Sequence, residues 1–192
     1  MHSVRVSLPD GTEREFPTGT RVAQVLNETG YNGEGAPVIA VLANNELTSL
    51  YYRLDVNTRL EGVTMESPEG QRVYRRSLCF LLAMAAQDVC PQRHLVIGHS
   101  LGNGYYYRFD DDKQIEDDLI RRLETRMRVL VKEDLPIVRR LISYEDALDY
   151  FERHEMHDTA LLLKHRNDSK IPAYTCGDTM DISHGPLVPS TG

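Results

Sequence analysis

The sequence predicts an α+β protein with two domains. In the first third of the chain, apolar residues alternate with polar ones between turn residues, which is the period of short strands. From about residue 78 onward they recur three and four apart, which is the period of helices. A length of 192 residues is enough for two small cores. Ser67-Pro68-Glu69-Gly70 forms a turn-rich connector between the two patterns, so we place domains over residues 1–66 and 67–192.

The charge balance limits the kinds of partner. The chain has 22 Lys and Arg residues against 29 Asp and Glu residues, a net charge of -7. Affinity for nucleic-acid phosphates needs clustered cations that displace counterions, so this balance disfavours a nucleic acid as partner. No stretch approaches the ~20 apolar residues that cross a bilayer, and the start of the chain lacks the layout of a signal peptide. We therefore expect a cytoplasmic protein with no membrane partner.

The three cysteines, Cys79, Cys90 and Cys176, are odd in number and far apart. They form no C-x-x-C pair, so neither a disulfide framework nor a cysteine-rich zinc site is predicted. We expect them to be reduced and structural.

The first domain begins with a β-hairpin. Val4, Val6 and Leu8 share one face of a strand because side chains alternate with a period of two. Pro9-Asp10-Gly11 then turns the chain, and Thr12–Phe16 returns as the second strand.

A short helix and a buried strand follow the hairpin. Thr18 or Thr20 is placed to cap a helix over Val22–Leu26, which Gly30 ends through its tolerance of positive φ. Val38–Leu42 is a continuous apolar run of buried-strand length. Together these elements predict a compact, β-grasp-like sheet.

Helix and hairpin patterns alternate in the second domain. Apolar residues three and four apart over Leu78–Val89 predict a core helix, which Pro91 ends. Leu95–Ile97 predicts a strand, and the glycine-rich segment Gly98–Gly104 predicts a turn into a second strand over Tyr105–Phe109.

Two more helices are predicted further along the chain. Residues 115–130 repeat with the helical period, and Asp110–Asp112 lie near the positive end of that helix dipole. Ser143-Tyr144-Glu145-Asp146 is similar to a capping box and opens a third helix that ends near His154. Beyond Ile171 the composition predicts strands and loops.

Local motifs that carry chemistry are weak. Neither a P-loop nor a dinucleotide fingerprint occurs, so we interpret Gly98–Gly104 as a hairpin turn rather than a phosphate cradle. Tyr105–Tyr107 offers either stacking faces for bases or core residues. We interpret His154 and His157 as a solvated helix end rather than a metal pair, and Asp110–Asp112 as a helix start rather than a cation site. Local spacing assembles no catalytic triad.

Several segments together resemble the threonyl-tRNA synthetases. Val6–Thr12, Phe16–Thr20 and Asn44–Leu47 resemble the TGS domain of that family, which is a β-grasp domain. Ile97–Phe109 resembles the I-G-x(4)-N-G-F-Y-Y-D-F of the family's second, editing-type domain. Asp181–Pro189 resembles its D-L-C-R-G-P-H-V-P. The resemblance implies a TGS β-grasp domain followed by an editing-like α+β domain that is truncated at its C-terminal end.

The same resemblance implies a lost metal site. The family's editing centre takes its ligands from an H-x-x-x-H helix and a C-x-x-x-H loop. The matching positions here are Arg76, Phe80, Ser183 and Leu187. Arginine keeps its proton, and phenylalanine and leucine have no lone pair to offer. We therefore expect no metal, no catalytic residue and no hydrolytic editing.

The pocket that editing would occupy is expected to survive with altered chemistry. Its candidate residues come from the helix, the hairpin and the C-terminal loop: Arg76, Phe80, His99, Tyr105, Tyr107, Asp181, Ser183 and His184. Arg76 makes the pocket basic, and a guanidinium suits phosphate or carboxylate, so we expect a small anionic or nucleotide-like ligand. The alternative is that Arg76 merely pairs with a carboxylate at the helix surface.

Losses of this kind resemble the N-terminal half of bacterial nucleoside kinases related to uridine kinase, whose H-S-L-G-x-G variant is similar to Gly98–Gly104. The resemblance implies a fragment without a cofactor, joined in its parent to a C-terminal P-loop kinase domain that holds ATP and Mg²⁺. The expected function is a non-catalytic, substrate-sensing or regulatory region of an ATP-dependent nucleoside (uridine) kinase. The alternatives are a tRNA-binding or trans-editing module derived from threonyl-tRNA synthetase, and a purely structural dimerising module.

Overall fold

The structure is a computed structural model that describes residues 2–33, 35–102, 104–111, 113–165 and 168–192. It is a mixed α+β protein, which confirms the predicted class. The chain divides into two compact units. The first unit contains Met1–Ser77, Ile137–Arg139 and Ser183–Pro189, and the second contains Leu78–Pro136, Arg140–Ile182 and Ser190–Gly192. These units are defined by spatial proximity, and the domain boundary after residue 66 stays a prediction.

A mixed sheet forms the centre of the first unit. Its strands and helix are β1 (Ser3–Ser7), β2 (Glu13–Pro17), β3 (Thr20–Arg21), α1 (Val22–Thr29), β4 (Val38–Ala43), β5 (Glu46–Thr48), β6 (Arg53–Leu54) and β7 (Thr58–Thr64). The main sheet has the order β2-β1-β7-β4-β5, in which β1 and β7 are parallel, and β3 pairs with β6 separately. The β1–β2 hairpin is confirmed. The β-grasp assignment stays a prediction.

The alternation in β1 produces the core of the first unit. Val4 and Val6 are 3% and 1% exposed, and they pack with Val22 and Val25 of α1, which are fully buried. Burying a side chain of this size contributes about 1.5–3 kcal/mol each. The two-residue period of β1 and the apolar face of α1 therefore meet in one core.

The C-terminal end of α1 agrees with the prediction, whereas its N-terminal end does not. Gly30 adopts φ 73° and ends the helix in the left-handed conformation, as predicted. The predicted threonine cap is wrong. The residue before the helix is Arg21, with no side-chain cap, and Thr20 donates its hydroxyl hydrogen bond to the carbonyl of Pro17 at 2.7 Å. Thr18 likewise donates to the carbonyl of His2.

The predicted connector is the first turn of a long helix, α2 (Pro68–Val89). Ser67 Oγ accepts a hydrogen bond from the Gly70 amide at 3.0 Å, so Ser67 is the cap and Pro68 is the first helical residue. Gly70 lies against the end of β7: a Cβ at this position would stand 1.8 Å from the carbonyl oxygen of Thr64. Residues 68–77 of α2 fall in the first unit and 78–89 in the second.

The second unit contains a hairpin, three helices and most of a small sheet. Its elements are β8 (Leu95–Leu101), β9 (Gly104–Phe109), α3 (Asp117–Glu133), β10 (Val138–Ser143), α4 (Tyr144–Arg153), α5 (His157–Lys164), β11 (Lys170–Cys176) and β12 (Thr179–Ile182). The sheet has the order β10-β11-β12, and β8 pairs with β9. One buried cluster of this unit is formed by Ala147, Phe151, Ala160, Leu163 and Ile171.

Several of the local signals in the second unit are confirmed. Ser143 Oγ accepts a hydrogen bond from the Asp146 amide at 3.0 Å and caps α4, which ends at Arg153. The hairpin turn is shorter than predicted because β8 runs to Leu101. Asn103 and Asp112 of the predicted motifs lie outside the described residues. None of the described helices combines the length and the apolar character needed to span a bilayer.

Gly70→Ala is expected to destabilise the first unit. Alanine favours helices by about 1 kcal/mol over glycine, so propensity alone predicts stabilisation. The new methyl group instead overlaps backbone that cannot rotate away, and overpacking of this kind costs about 1–3 kcal/mol. Urea unfolding of the variant measures the difference. Gln71→Ala, at an exposed neighbouring position of α2, is the control and should change stability by less than about 0.5 kcal/mol. Equal or higher stability of Gly70→Ala would contradict the packing of α2 on β7.

Candidate functional site

Two neighbouring residues of α2 attach the C-terminal loop of the first unit, residues 183–189. Arg76 Nη1 donates a hydrogen bond to the carbonyl of Pro186 at 2.9 Å. The Val188 amide donates to Ser77 Oγ at 2.9 Å, and that hydroxyl donates to the carbonyl of Val73 at 2.8 Å. Two consecutive residues of α2 therefore attach the loop at two points.

The guanidinium of Arg76 lies directly against Gly185. A Cβ at Gly185 would stand 2.7 Å from Arg76 Nη1 and 2.9 Å from the guanidinium carbon. Gly185 has no unusual φ, so a side chain there would meet the movable guanidinium of Arg76 and no restriction from the backbone conformation. The predicted alternative for Arg76, a pair with a surface carboxylate, differs from the partner seen here, which is a backbone carbonyl.

The remaining candidates in this loop have contrasting surroundings. Ser183 Oγ is buried and has no hydrogen-bond partner among the described residues, whereas His184 is exposed. Leu187 is 2% exposed, so it is a packing residue. In the second unit, Phe80 is 5% exposed. The described part of the chain contains no group of three or more His, Cys, Asp or Glu residues placed to hold a metal ion.

The β8–β9 hairpin separates its aromatic residues. Tyr107 donates its hydroxyl hydrogen bond to Cys79 Sγ at 2.7 Å, and burial raises the pKa of this phenol well above its ordinary value. Tyr105 and Tyr106 are 41% and 50% exposed, and the ring of His99 stacks on Tyr106 with centroids 5.6 Å apart. Of the tyrosine run, Tyr107 is therefore the packing residue, and the other two face outward.

Asp181 is a partly buried carboxyl group on β12. Its Oδ1 accepts a hydrogen bond from the Ile182 amide at 2.7 Å. Burial raises the pKa of Asp181 to about 6, because desolvation disfavours the charged form more than the amide bond favours it. A raised carboxyl pKa is one mark of functional sites, although structural groups show it as well.

The histidine pair of the α4–α5 segment is split by the fold. His154 follows α4 and stacks on Tyr150 with centroids 4.0 Å apart. His157 begins α5 and lines a cleft of about 410 Å³ with Arg108 and Asp110 among its other residues. The interpretation as a solvated helix end therefore fits His154, which follows α4. His157 begins α5, a helix that the sequence pattern does not predict.

Sequence reasoning missed the groups that fix the site. Ser77 and Gly185 attach and accommodate the loop, and nothing local distinguishes them from ordinary helix and loop residues. Arg93 was missed too: its Nε and Nη2 donate to the two carboxylate oxygens of Asp111, each at 2.9 Å, while its guanidinium lies 4.1 Å from the Phe109 ring centroid. A partner 18 residues away leaves no signal in the local pattern.

The chain has extensive similarity to threonine–tRNA ligases. It is 34% identical over 190 residues to the enzyme of Desulforamulus reducens, 33% over 190 residues to that of Symbiobacterium thermophilum and 34% over 193 residues to that of Thermotoga neapolitana. Each alignment covers 98% of this chain and 29–30% of the relative. No family model matches the chain.

The chain thus spans about 30% of the length of the curated relatives it matches. The similarity runs through both compact units, because only a few residues of the chain stay unaligned. The chain is homologous to threonine–tRNA ligases, and this supports the resemblance of its motifs to the N-terminal region of threonyl-tRNA synthetases.

Proposed function

We propose that this chain is a tRNA-binding module related to threonyl-tRNA synthetases, one that does not perform metal-dependent hydrolysis. The named relatives are ligases that act on tRNA, and they align with 97–100% of the chain. We infer that the chain keeps the binding of tRNA from such an ancestor but not the hydrolytic reaction, because the residues at the metal-ligand positions are replaced.

The attachment of residues 183–189 to α2 by Arg76 is the observation that carries this proposal. In the resembling family, position 76 and positions 183 and 187 supply metal ligands. Here the Arg76 guanidinium bonds to the Pro186 carbonyl, and Leu187 is buried. A guanidinium repels a cation and cannot ligate one. A direct contact between protein groups therefore takes the place of a shared metal in joining helix and loop.

The proposal also explains why hydrolysis is not expected. Metal-dependent hydrolysis needs an ion that lowers the pKa of bound water, and the four replaced positions offer only one oxygen donor, that of Ser183. The proposed module therefore holds an RNA without cleaving an ester.

The nucleoside-kinase interpretation gains no support from these relatives. They are ligases, and the ATP, Mg²⁺ and kinase domain that it requires would lie outside the residues of this chain. The small anionic ligand expected at Arg76 stays a prediction, and one N–H of that guanidinium donates to a backbone carbonyl. No observation favours a purely dimerising module, and we put forward the tRNA-related function alone.

The proposal is tested by binding and hydrolysis measured on the same sample. We expect the chain to bind a threonine tRNA transcript in a fluorescence anisotropy titration, with affinity that falls as salt rises. We expect an amino-acid ester of that tRNA to hydrolyse at its uncatalysed rate, with or without added Zn²⁺. Absence of tRNA binding at low salt would refute the proposal. Hydrolysis that a chelator abolishes would restore the metal-dependent interpretation.

Arg76 and Gly185 are expected to be energetically coupled. In the wild-type background, Gly185→Ala should cost about 1 kcal/mol, because the methyl group displaces the guanidinium from the Pro186 carbonyl. In an Arg76→Ala background the same substitution should cost almost nothing. Chemical denaturation of the four proteins gives the coupling energy. A chelator should leave the melting temperature of the wild type unchanged. If the destabilisations caused by the two substitutions simply add, and a chelator lowers the melting temperature, a metal and not Arg76 holds the loop.

Asp181→Asn is expected to stabilise the protein at neutral pH and not in acid. The amide keeps an oxygen acceptor for the Ile182 amide but carries no charge. With a folded-state pKa of about 6 against the ordinary 3.8, the folded wild type binds more protons than the unfolded chain between these values. Its stability therefore falls as pH rises through this window, by up to about 3 kcal/mol.

Unfolding free energies of Asp181→Asn and wild type at pH 4, 5, 6 and 7 measure this difference. The advantage of the variant should grow across the series and level off above pH 6. Asp178→Asn removes a carboxylate from the exposed neighbouring turn and serves as the control. A constant difference at every pH would show that Asp181 is not desolvated.

A further inference from the structure

The helix α3 carries a strongly segregated charge pattern. Its buried face is formed by Leu119, Leu123 and Leu130. With 3.6 residues per turn, positions 121, 125, 128 and 132 lie on the opposite face, and all four are exposed: Arg121, Thr125, Arg128 and Lys132. We call these four residues the α3 outer face. Its charged groups are all cations.

The positive charge is concentrated along most of the helix. The two acidic residues Asp117 and Asp118 occupy the first turn, where the helix dipole favours them. Between Arg121 and Lys132 there are five cations and one carboxylate, that of Glu124. This segment therefore has a net charge of +4 in a chain whose total is -7.

Two of the five cations are structural and fix the orientation of α3. Arg126 Nε donates to an Asp88 carboxylate oxygen at 2.7 Å, and its Nη1 donates to Glu133 at 3.2 Å. Arg122 Nη2 donates to the carbonyl of Val89 at 3.1 Å. The contacts with Asp88 and Val89 both reach the end of α2 within the second unit. They hold the outer face pointing away from that helix.

The cations of the outer face are weakly engaged. Arg121 and Lys132 have no ion pair or side-chain hydrogen bond within the described residues. Arg128 pairs with Glu124, but the two side chains are 74% and 58% exposed. A pair this exposed contributes less than about 1 kcal/mol, so a stronger anion readily displaces it. The cost of redirecting these side chains to a ligand is therefore small.

The spacing of the outer face suits a polyanion. Arg121 and Lys132 are eleven positions apart, about 16 Å along the axis at 1.5 Å per residue. The exposed apolar residues of α3, Ile120, Val129 and Val131, all lie roughly a quarter-turn away from Arg121 around the helix. The outer face thus has no aromatic or apolar anchor of the kind that carries protein–protein binding.

We propose that the α3 outer face docks the phosphate backbone of a folded RNA. This inference rests on the proposed tRNA-binding function and assigns the surface through which binding occurs. Arg121, Arg128 and Lys132 contact phosphates, while Thr125 lies between them with its hydroxyl bonded to the carbonyl of Arg121. Contacts of this kind orient an RNA without reading its sequence. Discrimination among tRNAs would come from another surface.

The test compares two triple variants of the full chain with the same change in charge. In one variant Arg121, Arg128 and Lys132 are replaced by Gln. In the matched control Arg5, Arg21 and Arg59, which are exposed in the first unit, are replaced by Gln. Affinity for a threonine tRNA is measured by fluorescence anisotropy across a salt series. Thermal unfolding of each variant reports whether it is folded.

The α3 variant should lose at least tenfold in affinity near 100 mM salt. The slope of log K against log salt should fall by about 2, since three phosphate contacts are removed. The control should change affinity by less than threefold. Equal losses in both variants would show a net-charge effect and refute the α3 assignment while the tRNA function stands. No binding by the wild type would instead refute the proposed function itself.

A cross-linking experiment keeps the inference falsifiable if the triple variant unfolds. The natural cysteines are buried, so Thr125→Cys or Arg59→Cys introduces one exposed thiol for a photo-cross-linker. We expect the label at position 125 to cross-link to tRNA and the label at position 59 not to do so. Labelling at 125 without cross-linking would refute the assignment. Protection of the cross-link by polyglutamate, but not by a second RNA, would show that the face binds an acidic protein.

Discussion

The attachment of residues 183–189 to α2 by hydrogen bonds is the constraint on which the candidate site depends. Arg76 and Ser77 are adjacent on the helix, yet each meets a residue more than one hundred positions away, at Pro186 and Val188. Hydrogen bonds that close so long a stretch of chain form only when the rest of the unit is folded. The loop therefore gains its position from tertiary structure, and a side chain at Gly185 would require the Arg76 guanidinium to move.

The sequence predicts elements well where the information is local. The β1–β2 hairpin follows from alternating apolar residues and a Pro-Asp-Gly turn, and the Ser143 cap follows from a four-residue pattern. The prediction of a connector at residues 67–70 is wrong because Pro and Gly, which are common in turns, also occur in a helix start when Pro follows a capping Ser. β10 and α5 were missed, since Arg139 and Arg140 interrupt the alternation in β10 and adjacent exposed leucines blur the period of α5.

The candidate site was less predictable than the fold. The motifs identify which positions correspond to ligands in the resembling family, but not what the substituted side chains do. One N–H of Arg76 donates to the Pro186 carbonyl, a partner that the motifs do not indicate, and the anionic ligand expected beside it stays a prediction. Asp181 was proposed only as a member of a motif, and its raised pKa comes from burial that no local pattern shows. The surroundings of a side chain depend on residues distant in sequence, which one unaligned sequence does not reveal.

Net charge illustrates the same difference between composition and structure. A sum of -7 disfavours a nucleic-acid partner only if the charges are spread evenly over the surface. At physiological ionic strength a charge is felt over about 8 Å, which is shorter than the span of the α3 outer face. A phosphate near Arg121 therefore responds to charges within about one or two helical turns and is largely screened from carboxylates farther away in the molecule. What decides attraction is how many cations one helix places on one face, and that is set by the positions of Leu119, Leu123 and Leu130, which bury the opposite side of α3.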